Sequence, residues 1–129
     1  MKELSIFVDE SGDFGAYEPH APFYLFTLVF HDQNNSRIIV YYDNGQVELN
    51  KVLASVFTVM LPQSEFRKVI PADYRLFQVA DLFCTLELIC LKNERHIMSK
   101  SEEAFFGSMR DMQKNYLKPM YKKRYNPHT

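Results

Sequence analysis

The sequence predicts an α/β fold: one mixed sheet with flanking helices. Three observations predict it. Three apolar runs with turn residues between them fill the first 42 positions and read as strands. The spacing then turns helical over residues 46–59 and 74–91, with one short alternating run between them. Finally, 129 residues with 47% apolar and 24% charged content suit one globular domain with a real core.

Each element has its own signal. Leu4, Ile6 and Val8 alternate with Ser5 and Phe7, so residues 3–9 form a first strand. Residues 10–21 hold Gly12, Gly15 and Pro19, with Pro22 just beyond, and read as a loop. Phe23 to Phe30 is a second strand, apolar on both faces, and residues 31–36 are a turn. Arg37 to Tyr42 is a third strand, running into Asp43, Asn44 and Gly45. Val47, Val52, Leu53, Val56 and Phe57 fall near helical spacing until Pro62 breaks the helix. Glu65 to Ile70 is a short strand. Asp73 offers a cap for a helix over 74–91. Ser101 with two glutamates opens a last helix that fades before Pro119.

Acids stand out against this apolar background. Asp9 and Glu10 end the first strand, with Asp13 in the turn beyond, and Asp43 ends the third. The 74–91 helix is apolar nearly all round, so it is expected to be buried on several sides. Its exceptions, Arg75, Gln78, Asp81 and Thr85, fall in one stripe at helical spacing. A carboxylate on a buried helix is costly without a partner. In open α/β sheets the C-terminal ends of parallel strands gather on one edge, where sites form. Carboxylates gathered there repel each other, and a divalent cation removes that repulsion. Mg²⁺ or Mn²⁺ suits a few carboxylates plus substrate phosphate, and two ions about 4 Å apart can stabilise both oxygens of an in-line displacement by water.

The stretch VDESGDFG at 8–15 together with YRLFQVADL at 74–82 resembles domain-of-unknown-function family 3800, which looks like a branch of the ribonuclease H-like superfamily. The resemblance spans Ile6 to about Glu87. It implies a ribonuclease H-like mixed sheet with Asp9 on the first strand, Asp43 after the strand that ends in YYDNGQ, and Asp81 on the last core helix as catalytic metal ligands. Glu10 and Gln78 are expected to orient ligands or water in support. The superfamily implies a Mg²⁺- or Mn²⁺-dependent nuclease, or a related phosphodiester hydrolase acting on nucleic acid.

The sequence departs from the family pattern in one place. Only HDQNNS joins the second and third strands, where relatives carry additional, mostly helical residues. Six residues suit a hairpin, whereas a parallel return needs a dozen or more. Either the first three strands form an antiparallel meander, or a segment is lacking between Ser36 and Arg37. The alternative function is a non-catalytic ribonuclease H-like module that serves as a structural or nucleic-acid-binding partner. Simpler readings exist for each acid. Asp9, Glu10 and Asp13 could solvate a turn, Asp43 could cap the helix after it, and Asp81 could pair with Arg75. Convergence of Asp9 and Asp81 discriminates between these readings.

The chain carries a net charge of −1, but residues 114–129 hold five basic side chains and no acid. Lys118, Lys122, Lys123 and Arg124, interleaved with Tyr121 and Tyr125, are candidate nucleic-acid contacts. A solvated helix end with lysines near its C-terminus is the simpler reading. The four histidines show no ligand spacing. Cys84 and Cys90, six apart in one helix, are expected to be free buried thiols. With no leader-like N-terminus and no run of about 18 apolar residues, the expectation is a cytoplasmic protein that does not enter a membrane. A homo-oligomer or a protein partner stays open.

Overall fold

The computed structural model describes residues 3–12, 18–19, 21–32, 37–43 and 47–126, the side chains of Asp32 and Leu49 apart. Asp13, His20, His128 and the link at 33–36 lie outside these residues. Two compact units divide the chain, residues 1–84 and 85–129, with the boundary inside one helix.

Unit 1 is built on a four-stranded mixed sheet: β1 (Glu3–Gly12), β2 (Tyr24–Asp32), β3 (Arg37–Tyr42) and β4 (Ser64–Lys68). The order is β2-β1-β3-β4. β2 runs antiparallel to β1, from Leu4 opposite Asp32 to Gly12 opposite Tyr24. β3 runs parallel to β1, and β4 parallel to β3. The antiparallel meander is therefore not formed. β2 itself is the return from β1, and β3 lies on the other side of β1. Asp32 and Arg37 end up about two strand spacings apart, roughly 10 Å.

Two helices serve this sheet. The helix α1 (Val47–Met60) joins β3 to β4, and α2 (Arg75–Glu94) follows a 3-10 turn at Pro71–Asp73. Asp73 sits inside that turn, with extended Tyr74 between it and α2, so it is not the cap the sequence suggested. The pleat sends alternate residues to opposite faces. Ile6, Val8 and Val40 pack with Leu53 and Phe57 of α1. On the other face Phe7, Ile39 and Tyr41 pack with Phe77 and Tyr74. Phe7 stacks on Tyr41 at 4.8 Å between ring centroids and meets Phe77 edge-on at 5.4 Å. Glu65 ties β4 to β3 by pairing with Arg37, and also pairs with Arg67.

The expectation of an all-round buried α2 is corrected. Phe77, Ala80 and Cys84 are buried, but Arg75, Gln78, Asp81 and Leu82 are exposed. The first three members of the polar stripe lie on the outer side of an amphipathic helix, while Thr85 is half-buried.

In unit 2, α2 continues to Glu94 and three short helices follow: α3 (Lys100–Phe106), α4 (Met109–Met112) and α5 (Lys118–Tyr121), with a π-helical turn at Gln113–Leu117. Ser99, not Ser101, caps α3, in a capping box with Glu102. Gly107 ends α3 with φ +70. Pro119 does not stop the helical path. It sits in the first turn of α5, where its missing N–H costs little. Cys84 and Cys90 are both free, as expected, but Cys90 is only half-buried.

Candidate active site

The strongest charge conflict in unit 1 lies at the C-terminal edge of the sheet. β1 ends buried and apolar through Val8, then exposes Asp9 and Glu10 by halves. β3 ends one register step behind, since Val8 is opposite Tyr42, so Asp43 emerges beside Asp9. Asp9, Glu10 and Asp43 line one small pocket with Tyr42, Asn50 and Leu53. Asn50 of α1 donates to the Asp43 carbonyl at 3.0 Å, which fixes the chain where it leaves β3.

Asp9 shares a face with Phe7, the face that α2 covers. Asp81, one turn along α2 from Phe77, therefore comes to it. Burial pushes the Asp9 carboxyl from 3.8 up to about 6, and the Asp81 and Glu10 charges add to the shift. The backbone N–H of Glu10 opposes it. Asp81 thus favours the protonated form of Asp9 by its charge and its proximity. The Oδ2 of Asp9 is buried and accepts no hydrogen bond among the described residues. Asp81 makes no ion pair with Arg75 among those residues.

Glu10 faces the other way. Burial raises its carboxyl, the neighbouring Tyr24 hydroxyl lowers it, and the Asp43 charge raises it. Tyr24 is pushed well above its usual range, first by burial and then by Glu10. Cys84 is one turn beyond Asp81 on the buried side. Its thiol is raised first by burial and then by Asp9, Asp81 and Glu10, and it lies 3.6 Å from the Leu25 carbonyl.

Two carboxylate pairs thus stand on either side of the β1 terminus, Asp9 with Asp81 and Glu10 with Asp43. Among the described residues no group of three or more histidines, cysteines or acids is placed to hold a metal ion. No family model, no curated protein and no solved structure matches the chain.

Gln78 is exposed, one turn before Asp81. Tyr24, Asn50 and Cys84 were not singled out from sequence as parts of a site. Tyr24 could have been found from the strand register, which puts it opposite Gly12, next to the acids. Cys84 could have been found from its three-residue spacing after Asp81. Asn50 had no signal.

The basic candidates belong to unit 2. Lys118, Lys122, Lys123 and Arg124 are all exposed. Arg124 pairs with Glu87 at 2.9 Å and lies over the Tyr121 ring. Tyr121 is raised to about 12, first by burial and then by Cys90. Among the described residues no helix is long and apolar enough to cross a membrane.

Proposed function

We propose that this chain is a Mg²⁺- or Mn²⁺-dependent nuclease, or a related phosphodiester hydrolase, with a ribonuclease H-like fold. The observation that carries the reading is the mutual approach of Asp9 and Asp81, with Asp9 Oδ2 buried and its carboxyl pushed to about 6. Two ionised carboxylates held this close are a liability in an empty protein and an asset to one that binds a cation. The donor set fits such an ion: it is all oxygen, and Mg²⁺ needs only one or two carboxylates beside waters and phosphate. The parallel placement of β3 beside β1, which brings Asp43 to Asp9, also supports the reading.

Asp9 and Asp81 would hold the ion at the sheet edge, with Asp43, which stands with Glu10, reaching it through water. When bound, it supplies Lewis-acid stabilisation of the phosphodiester oxygens and a more acidic water. Asp9 must be ionised for this, so its own proton competes with binding. Gln78 would orient water or ligand from the turn before Asp81. Lys118, Lys122 and Lys123 would contribute contacts to phosphates.

A second reading is the non-catalytic module. It is favoured by the separation of the acids into two pairs rather than one group of three. The test is hydrolysis of single- and double-stranded DNA and RNA with Mn²⁺, for the native chain and for Asp9→Asn and Asp81→Asn. Cleavage lost in both variants supports the nuclease. Binding without cleavage in all three supports the module.

A further inference from the structure

Unit 2 carries a row of cations that its own folding does not use. α4, the π-helical turn and α5 form one continuous helical path from Met109 to Tyr121, capped by Lys122. Arg110, Lys114, Lys118 and Lys122 follow one another along it at intervals of four. All four are exposed, and none joins an ion pair among the described residues. Residues 112–129 contain no acid. Asp111, next to Arg110, is held at the start of the path by the Ser108 hydroxyl, which donates to its carboxylate at 2.6 Å. Each cation stands two residues from Met112 or Met120, both buried, so the row faces away from the packed side.

On a plain α-helix such a row would not stay straight. Four residues overshoot a turn of about 3.6 residues by roughly 40°, so three steps would carry the last cation about 120° from the first. The π-helical turn reverses that drift at the middle step. The Lys118 N–H donates to the Gln113 carbonyl, five residues back, and a turn closed in that way holds more than four residues. From Lys114 to Lys118 the row therefore falls short of a full turn and swings back. The four cations end up in one narrow sector of the path.

We propose that this row is a track for the sugar–phosphate backbone of a single nucleic-acid strand. Such a track rests on the nucleic-acid reading above, but it needs none of the acids of unit 1. Four residues of helix rise about 6 Å, on the order of the step between successive phosphates of an extended strand, so each cation can meet one phosphate. A duplex curves its phosphates away from a straight row, whereas a single strand can follow it. Tyr121, three residues after Lys118 and therefore beside the row, is 41% exposed. An exposed ring there serves a base and does nothing for the carboxylates of an acidic peptide.

The test is fluorescence anisotropy of a labelled oligothymidylate with the full chain, in EDTA over a salt series, so that metal and cleavage play no part. For the native chain log K is expected to fall against log salt with a slope of about 2.8 or more, and Arg110→Ala or Lys114→Ala should each lower that slope by about 0.7. The decisive variant keeps the charge and moves it: Lys114→Asn with Asn115→Lys carries the cation roughly a quarter-turn off the row. It should lose as much as Lys114→Ala does, with unchanged far-UV circular dichroism. If that pair disturbs the π-helical turn, Arg110→Ala, ahead of the turn, is set against Lys100→Ala, an exposed cation on α3 outside the row, and only the first should change the slope. A native slope in the relocated variant, or equal losses from Arg110→Ala and Lys100→Ala, means that net charge alone acts and overturns the track. So does a native chain that does not bind the strand, and so does poly-glutamate that displaces the strand as well as unlabelled oligothymidylate does. Cleavage with Mn²⁺ by a chain whose row variants bind like the native one overturns the track and leaves the nuclease reading standing. Binding through the row without any cleavage does the reverse.

Discussion

Asp9, on β1, and Asp81, on α2, are near enough for the Asp81 charge to favour a proton on Asp9, and no cationic side chain pairs with either among the described residues. That arrangement makes the Asp9 proton a direct reporter of the site.

Folded, Asp9 keeps its proton up to about pH 6; unfolded, it loses it near 3.8. In the window between, the folded state binds more protons. Stability is therefore greatest below that window and falls as pH rises through it. Asp9 is half-exposed, so solvent screening reduces the effect to on the order of 1 kcal/mol. Asp9→Asn removes the charge and should raise the melting temperature at pH 7 by about 3–5 °C. It should also flatten the decline between pH 4 and 6. Thermal melts across that range measure both, and a lower melting temperature for the variant at pH 7 contradicts the account.

Gly12 ends β1 with φ +109, a conformation L side chains rarely adopt, and a Cβ there would strike the Phe23 carbonyl. Gly12→Ala should cost about 2 kcal/mol or more. Chemical denaturation should show a lower midpoint with unchanged slope. A midpoint equal to that of the native chain would mean that the turn is not held as described.

Phe77 is 2% exposed and sits edge-on to Phe7. Phe77→Ala should cost about 3–5 kcal/mol. It also loosens the contact that brings α2, and with it Asp81, to β1. Partial retention of the fold should therefore be accompanied by a lower Asp9 pKa, read by carboxyl NMR titration. An unchanged Asp9 pKa in a loosened protein would place Asp81 there by other means.

Much of unit 1 was legible because its signals were local. Strands read as alternating apolar runs, and Asp9, Asp43 and Asp81 stood out because they interrupt such runs. What failed was non-local. Whether β3 lies beside β2 or beside β1 depends on which edge of β1 is free, and no residue in 31–36 encodes that. The apolar count along α2 suggested full burial, but a helix against one sheet face needs only part of its circumference covered. In unit 2 one expected helix became α3, α4 and α5. Gly107, which ends α3, was not singled out as a breaker, and the place of Pro119 inside a first turn depends on where the preceding turn ends.

Lys122 and Lys123 are exposed, whereas Arg124 is already committed to Glu87 and the Tyr121 ring. If the tail meets phosphates, replacing both lysines by alanine should weaken nucleic-acid binding at every sequence. The slope of log K against log salt should become shallower by about 1.4 for single strands or about 1.8 for duplex. Arg124→Ala alone should change it less than either lysine does. Fluorescence anisotropy over a salt series measures these slopes, and a slope unaffected by the double change removes the tail from the interface.

The most direct test of the central claim is Mn²⁺ binding by titration calorimetry at pH 7, with the native chain beside Asp81→Asn. The account predicts binding by the native chain that weakens by at least about tenfold in the variant and fades as the pH falls through 6, where Asp9 takes up its proton. No heat in either protein, or equal binding in both, would contradict a metal centre built on Asp9 and Asp81.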